Sequence, residues 1–181
     1  MPTRGVMRRQ GLAFSIVLAC LFVLGPVSAA SAETPSATLV GARAIAPPSA
    51  PPSVKAMIKA ANHIRHRKYI WGGGHRKWNM RGYDCSGAVS YVLHAGGLLD
   101  SPLDSTGFMK FGEGGGGQWV SIYANHGHAF VVIAGLRWDT SLITDGDRTG
   151  PGWSDVMRTD TKHFKVRHPL GVLGATPLVS P

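Results

Sequence analysis

The sequence predicts an α+β domain. Two segments in the first half of the chain have helical apolar spacing with start and stop signals. The second half breaks into short β-prone runs separated by Gly-rich loops, and no internal repeat is present. Helices followed by a run of antiparallel strands is the α+β order.

The first thirty-two residues stand apart from that fold. Arg4, Arg8 and Arg9 form a positive leader, Gly11 to Leu24 is apolar, and Ala30-Ser31-Ala32 is a small-x-small cleavage site before Glu33. Residues 1–32 therefore read as a signal peptide. Gly25 and Pro26 end the apolar run too early for a membrane span, so none is expected after cleavage. Arg8-Arg9 faintly resembles a twin-arginine signal without deciding the route, and Leu18 fits poorly with a lipoprotein site at Cys20. The protein is expected to be secreted, in or on a bacterial envelope. Residues 33–52 are rich in Ala, Pro and Ser and lack periodicity, which reads as a flexible tether. The domain then spans residues 53–181.

Ser53 can cap a helix whose apolar positions Val54, Met57, Ile58 and Ala61 share one face, leaving His63 and His66 solvated. Gly72-Gly73-Gly74 follows and breaks it. Asp84 is a good N-cap for a second helix with Ala88, Val89, Val92 and Leu93 on its apolar face and Gly96-Gly97 as its stop. Strands are expected over Trp119–Tyr123, Ala129–Ala134, Leu136–Thr140 and Phe164–Arg167, with Gly135 in the turn between the middle two.

The chain has 181 residues, 44% of them hydrophobic, a net charge of +9 and two cysteines. That excludes a disordered chain and a disulfide-dense scaffold. From Thr34 to Tyr83 there are nine basic residues and no acid, which suits anionic wall polymers as partners or simply a solvated basic face. Export argues against nucleic acid, and a monomer is expected.

Loss of the leader removes Cys20 and leaves Cys85 alone. A lone thiol in an exported protein is either inert and buried or reactive. Its place in the first turn of a helix favours reactivity, because the unpaired N–H groups and positive dipole end there stabilise a thiolate. A cysteine nucleophile needs a base, and His128 abuts the most apolar strand, where the sheet would hold its backbone. Asp139 is the best group to orient that base. If Ala134-Gly135 is a two-residue hairpin loop, His128 and Asp139 become diagonal neighbours on one face, whereas a three-residue loop would flip that parity. Trp138, opposite Asp139 on its strand, should face the core; Trp71 and Trp78 are candidates for a groove.

Tyr69-x-Trp71-Gly72-Gly73, then Asp84-Cys85-Ser86-Gly87-Ala88-Val89 opening a helix, then Gly127-His128-Ala129 opening a strand, resembles the NlpC/P60 family of cysteine peptidases. The similarity spans about residues 54 to 141. It implies a papain-like NlpC/P60 fold, with N-terminal helices packed on an antiparallel sheet and the nucleophile at a helix N-terminus. It also implies hydrolysis of peptide bonds in peptidoglycan stem peptides. By resemblance Cys85 is the nucleophile, His128 the general base and then acid, and Asp139 the third polar residue. Tyr69, Trp71, Asp84 and Ser86 would serve substrate binding and the oxyanion site, with the backbone N–H of Cys85. Three departures bear on substrate preference. A Gly114-Gly115-Gly116-Gly117 run replaces the Pro-Gly-Asp stretch common in the family, Asp stands where His, Asn or Gln is more frequent, and the loop from Gly74 to Tyr83 is long.

Other readings are weaker. His126 and His128 could present imidazoles to zinc with Cys85 or His75, but no Cys-x-x-Cys or His-Glu-x-x-His accompanies them; no metal or other cofactor is expected. The glycine run leads into a strand instead of opening a helix, so it is a loop. Asp145-Gly146-Asp147 starts like a calcium loop but has Val156 where the bidentate Glu belongs, so it is a turn. The remaining alternatives are a wall-binding module of the same fold without activity, and an amidase or acyl transferase using the same thiol chemistry.

Overall fold

The computed structural model describes residue 1 and residues 35–143 and 147–172. All but the first lie in a unit spanning Glu33–Pro181. Apart from its first residue, the segment read as a signal peptide, Cys20 included, and Asp145-Gly146 of the stretch read as a turn fall outside the described residues.

In chain order the elements are β1 (Thr38–Val40), β2 (Arg43–Ile45), α1 (Pro52–Ile64), β3 (Lys68–Tyr69), β4 (Gly82–Tyr83), α2 (Cys85–Ala95) and a single turn α3 (Ser105–Phe108). Then follow β5 (Glu113–Gly114), β6 (Val120–Ala124), β7 (Ala129–Ile133), β8 (Leu136–Asp139), β9 (Gly152–Ser154), a 3₁₀ turn at Thr161–His163, and β10 (Lys165–His168). Six strands form one antiparallel sheet in the order β5-β10-β6-β7-β8-β9. The helices come first and pack on this sheet, so the class is α+β. No helix among the described residues is long and apolar enough to cross a membrane.

The α1 face reads as its spacing predicts, with Val54, Met57, Ile58, Ala61 and Ile64 all buried and His63 and His66 exposed. Its start differs: Pro52, not Ser53, opens the helix, and the cap position holds Pro51 without a side-chain bond. Proline serves there because the first helical N–H has no acceptor to lose and φ is already set.

The tether reading fails for most of its length. Instead of a flexible stretch, residues 38–45 form the β1–β2 hairpin. Ala37 N–H donates to Ala134 O at 2.7 Å, and Ala44 is buried. Asn62 of α1 holds the hairpin, its Nδ2 donating to Ala44 O at 2.8 Å and its Oδ1 accepting from Ala44 N at 3.1 Å. The same Oδ1 accepts from Trp153 Nε1 of β9 at 3.1 Å. These bonds depend on a partner eighteen residues or more away, which local composition does not carry.

α2 begins where expected. Asp84 accepts from Gly87 N at 2.7 Å, a regular N-cap. The helix is buried on nearly all sides of its first two turns, lying between α1 and the β7–β8 hairpin, where Trp138 Nε1 donates to Ala88 O at 3.4 Å. That hairpin has the two-residue loop: Ile133 pairs with Leu136, and Ala134 (φ 48) and Gly135 (φ 82) both take positive φ. This is the primed geometry that matches strand twist. The β6 and β10 boundaries sit one residue later than the sequence suggests. β9 and the paired Glu113-Gly114 of β5 are additions, both short edge strands with too few residues for a periodic signal.

Candidate active site

The short parallel pairing of β3 with β4 and the glycine turn after Ile70 bring Tyr69 and Trp71 alongside the first turn of α2. Gly73 O accepts from Asp84 N at 3.1 Å, and Gly72 N donates to Asp84 Oδ2 at 3.0 Å. This contact needs Gly87: a Cβ there would stand 1.9 Å from Gly73 O. The result is an open cleft of about 350 Å³ whose wall includes Cys85, Tyr69, Trp71, Asp84 and Ser86. Cys85 is 8% exposed at its floor and is a free thiol.

Trp71 stands out from the rim, 77% exposed. Trp78 does not join it. Its ring stacks on His94 near the far end of α2, with centroids 3.8 Å apart, so the groove expectation for Trp78 is corrected. The long loop instead sends His75 into the cleft wall. Its Nε2 donates to the Asp84 carboxylate at 3.0 and 3.1 Å, and Ser86 Oγ donates to Asp84 Oδ1 at 3.3 Å. The hydrogen bond to Asp84 raises the His75 pKa against the opposing effect of burial. Burial works against the charge of Asp84, but the bonds from His75, Gly87 and Gly72 prevail and hold its carboxyl below the ordinary range. The Tyr69 phenol is raised, first by burial and then by the charges of Cys85 and Asp84, with Arg148 pulling the other way.

His128 immediately precedes β7, its N–H donating to Asn125 Oδ1 at 2.8 Å. Asn125 Oδ1 also accepts from Gly127 N at 2.9 Å, so one side-chain oxygen sets the turn that aims the imidazole. His128 Nε2 donates to Asp139 Oδ1 at 2.8 Å, and Cys85 lies close enough to act on the same ring. The diagonal placement expected from the two-residue loop is therefore what the register produces. Burial pulls the His128 pKa down, but Asp139 and Cys85, through hydrogen bonds and then charge, lift it to about 9. Phe130 and Phe164 stand beside the ring, with centroids 6.4 and 6.3 Å away.

Asp139 is buried, and its carboxylate is gripped from several sides. Oδ1 also accepts from Thr140 N at 2.7 Å and Ser141 N at 3.1 Å. Oδ2 accepts from Arg137 Nη1 and Arg158 Nη1, each at 3.4 Å. Arg158 is itself fixed by Asp160 at 2.9 Å through both Nε and Nη2 and lies over the rings of Phe130 and Phe164. Neither arginine was legible as part of a site. Arg137 alternates with Trp138 on a strand like any surface residue, and Arg158 comes from a loop nineteen positions beyond its partner.

The arrangement is a thiol at a helix N-terminus, an imidazole in reach of it, and a buried carboxylate that orients the imidazole. That is the set needed to make a sulfur nucleophile and to move its proton. Among the described residues no three His, Cys, Asp or Glu side chains gather closely enough to hold a metal ion.

No protein-family model and no curated protein matches the chain. Solved structures similar to it include an NlpC/P60 family protein from Bacillus cereus, at 16% identity over 66% of this chain and 40% of that one, with a TM-score of 0.49. Another, from Staphylococcus aureus, is described as similar to lipoprotein, NLP/P60 family, at 18% identity over 64% of this chain and 41% of that one, with a TM-score of 0.40. The chain thus matches well under half the length of either protein. No residue role follows from likeness at that level.

Proposed function

We propose that the protein is a secreted thiol hydrolase of the bacterial envelope that cleaves peptide bonds in peptidoglycan stem peptides. One observation carries the reaction type: Cys85, in the wall of an open cleft, acts on the His128 imidazole, whose Nε2 is hydrogen-bonded to the buried Asp139. The choice of substrate rests on the resemblance of Asp84-Cys85-Ser86-Gly87 and Gly127-His128-Ala129 to NlpC/P60 motifs.

In the proposed reaction, the Cys85 thiolate attacks the scissile carbonyl carbon while the His128 imidazolium holds the proton taken from sulfur. The tetrahedral oxyanion faces the N–H of Cys85 at the start of α2, which has no helical acceptor. The C–N bond then breaks, His128 protonates the leaving amine, and a thioester to Cys85 remains. Water adds to that thioester as His128 takes its proton. The C–S bond breaks, releasing the acid and restoring the thiolate–imidazolium pair.

The test is digestion of purified peptidoglycan with the fragments read by mass spectrometry. Wild type should release peptides with new amino termini, and Cys85→Ala should lose a thousandfold or more of that rate, on the order expected for removal of a nucleophile. Its helical content should remain, since Ala suits a first helical turn. Retained activity in Cys85→Ala, or an inert wild type, overturns the reading.

Attachment to anionic wall polymers belongs to the same proposal. Arg43, Lys59, His63 and Arg65 line a separate groove of about 290 Å³ with no acid in its wall. Binding of the folded protein to isolated walls should fall as salt rises from low to physiological levels. Binding that ignores salt would assign attachment to the cleft instead.

A further inference from the structure

The cleft does not end at Cys85. Beyond His128, a second cavity of about 130 Å³ is walled by Tyr69, Trp71, His128, Thr140 and Arg148, among others. If the thiol mechanism operates, the geometry assigns contents to this side. His128 must protonate the leaving amine, so the residue carrying that amine sits against His128 and extends into the cavity.

The cavity has an unusual balance of groups. Arg148 is exposed, and its guanidinium carbon lies 5.4 Å from the Tyr69 ring centre and 5.9 Å from that of Trp71. Among the described residues it pairs with no carboxylate. The two aromatic faces hold the planar cation while leaving N–H edges available, the arrangement that suits bidentate recognition of a carboxylate. The other charged side chains in the wall are already engaged. Arg158 is held by Asp139 and Asp160. Asp147 spends its oxygens on its own loop, accepting from Ile143 N at 2.7 Å and from Leu142 N and Thr149 N at 3.2 Å. Thr140, 1% exposed, keeps a hydroxyl with no hydrogen-bond partner. A buried hydroxyl left this way is costly until something polar meets it.

We propose that this cavity is a carboxylate subsite and that Arg148 selects peptides whose leaving residue carries a free carboxylate. The inference rests on the hydrolase reading for the position of the leaving group, but binding can be measured without turnover.

The probes are a stem peptide whose leaving residue ends in a free carboxylate and the same peptide with that carboxyl amidated. Their binding to the full Cys85→Ala protein is followed by calorimetry. The acid should bind about tenfold tighter than the amide, the scale of one charge-assisted contact. Adding Arg148→Gln should erase that difference, and Arg148→Lys should restore part of it, since Lys keeps the charge without the fork. Equal binding of the two peptides, a preference that survives Arg148→Gln, or no binding of either overturns the subsite. Hydrolysis of the same pair by wild type separates the two ideas. Cleavage of both at one rate sinks the subsite alone, whereas acid-selective binding without any cleavage sinks the hydrolase reading and leaves the subsite standing.

Discussion

His128 is where sequence, geometry and electrostatics meet in one side chain. Its pKa near 9 means that the imidazolium persists through neutral pH, paired with Asp139 on one side and facing sulfur on the other. The folded-state value lies above the ordinary 6.5, so the stability contributed by the charged ring is complete below about pH 6.5 and is lost as pH climbs through 9. Thermal unfolding followed across that window should show a decline of about 3 kcal/mol; a flat profile would contradict the raised value. The proposed activity should fall on the alkaline side at about the same pH. Asp139→Asn removes a carboxylate that favours the charged ring, so the midpoint of His128, read by NMR, should move to lower pH. The alkaline limb of kcat/KM should move with it. A limb that stays in place would mean that Asp139 does not set the state of the base. The substitution also takes a shared carboxylate away from Arg137 and Arg158, so a loss of stability on the order of 3 kcal/mol is expected beside the pKa change.

At the scale of elements, the site depends on two glycine-permitted features. Gly87, in the first turn of α2, lets the Gly72–Gly74 turn lie directly on the helix, and any side chain there meets Gly73 O. Gly87→Ala should cost roughly 1–3 kcal/mol through displacement of that turn, visible as a lower Tm. It should also reduce thiol-dependent activity, because Tyr69 and Trp71 ride on the same segment. An unchanged Tm would mean that the turn moves away freely. The β7–β8 turn is the second feature. Ala134 and Gly135 at positive φ set the two-residue loop, and loop length sets which side chains share a face. One inserted residue after Gly135 should break the His128–Asp139 bond while leaving both residues in the sequence. Loss of activity with a retained β-rich circular dichroism spectrum is the expected result.

Across the whole molecule, Asn62 is the joint that connects the leading hairpin, α1 and the far edge of the sheet. Its amide serves Ala44 twice and Trp153 once. Asn62→Ala leaves a buried N–H, a buried carbonyl and an indole N–H without partners, and should lower stability by about 3 kcal/mol. Deleting residues 33–52 should have a similar effect, since the β1–β2 hairpin covers part of the core and Ala37 is tied to Ala134. If the truncated chain kept its Tm, the segment would behave as a tether after all.

Much of the site was legible because its signals are local. The Asp84 cap, the cysteine after it and the Gly96-Gly97 stop follow from a helix's need to satisfy its own ends, and such needs are written within a few residues. The alternation of β7 and β8, with a two-residue loop between them, was enough to bring His128 toward Asp139. What the sequence could not determine depends on partners far along the chain. An Ala/Pro/Ser-rich segment looks unstructured until Asn62 and Ala134 supply its hydrogen bonds. Trp78 looks like a groove residue until His94 takes its ring. Arg137, Arg158 and Arg148 are three unremarkable cations until folding sets two of them on the Asp139 carboxylate and the third on the aromatic wall of the cleft. Local backbone demands leave a pattern with a period or a cap, whereas a contact made across the sheet leaves none, so only the tertiary structure decides it.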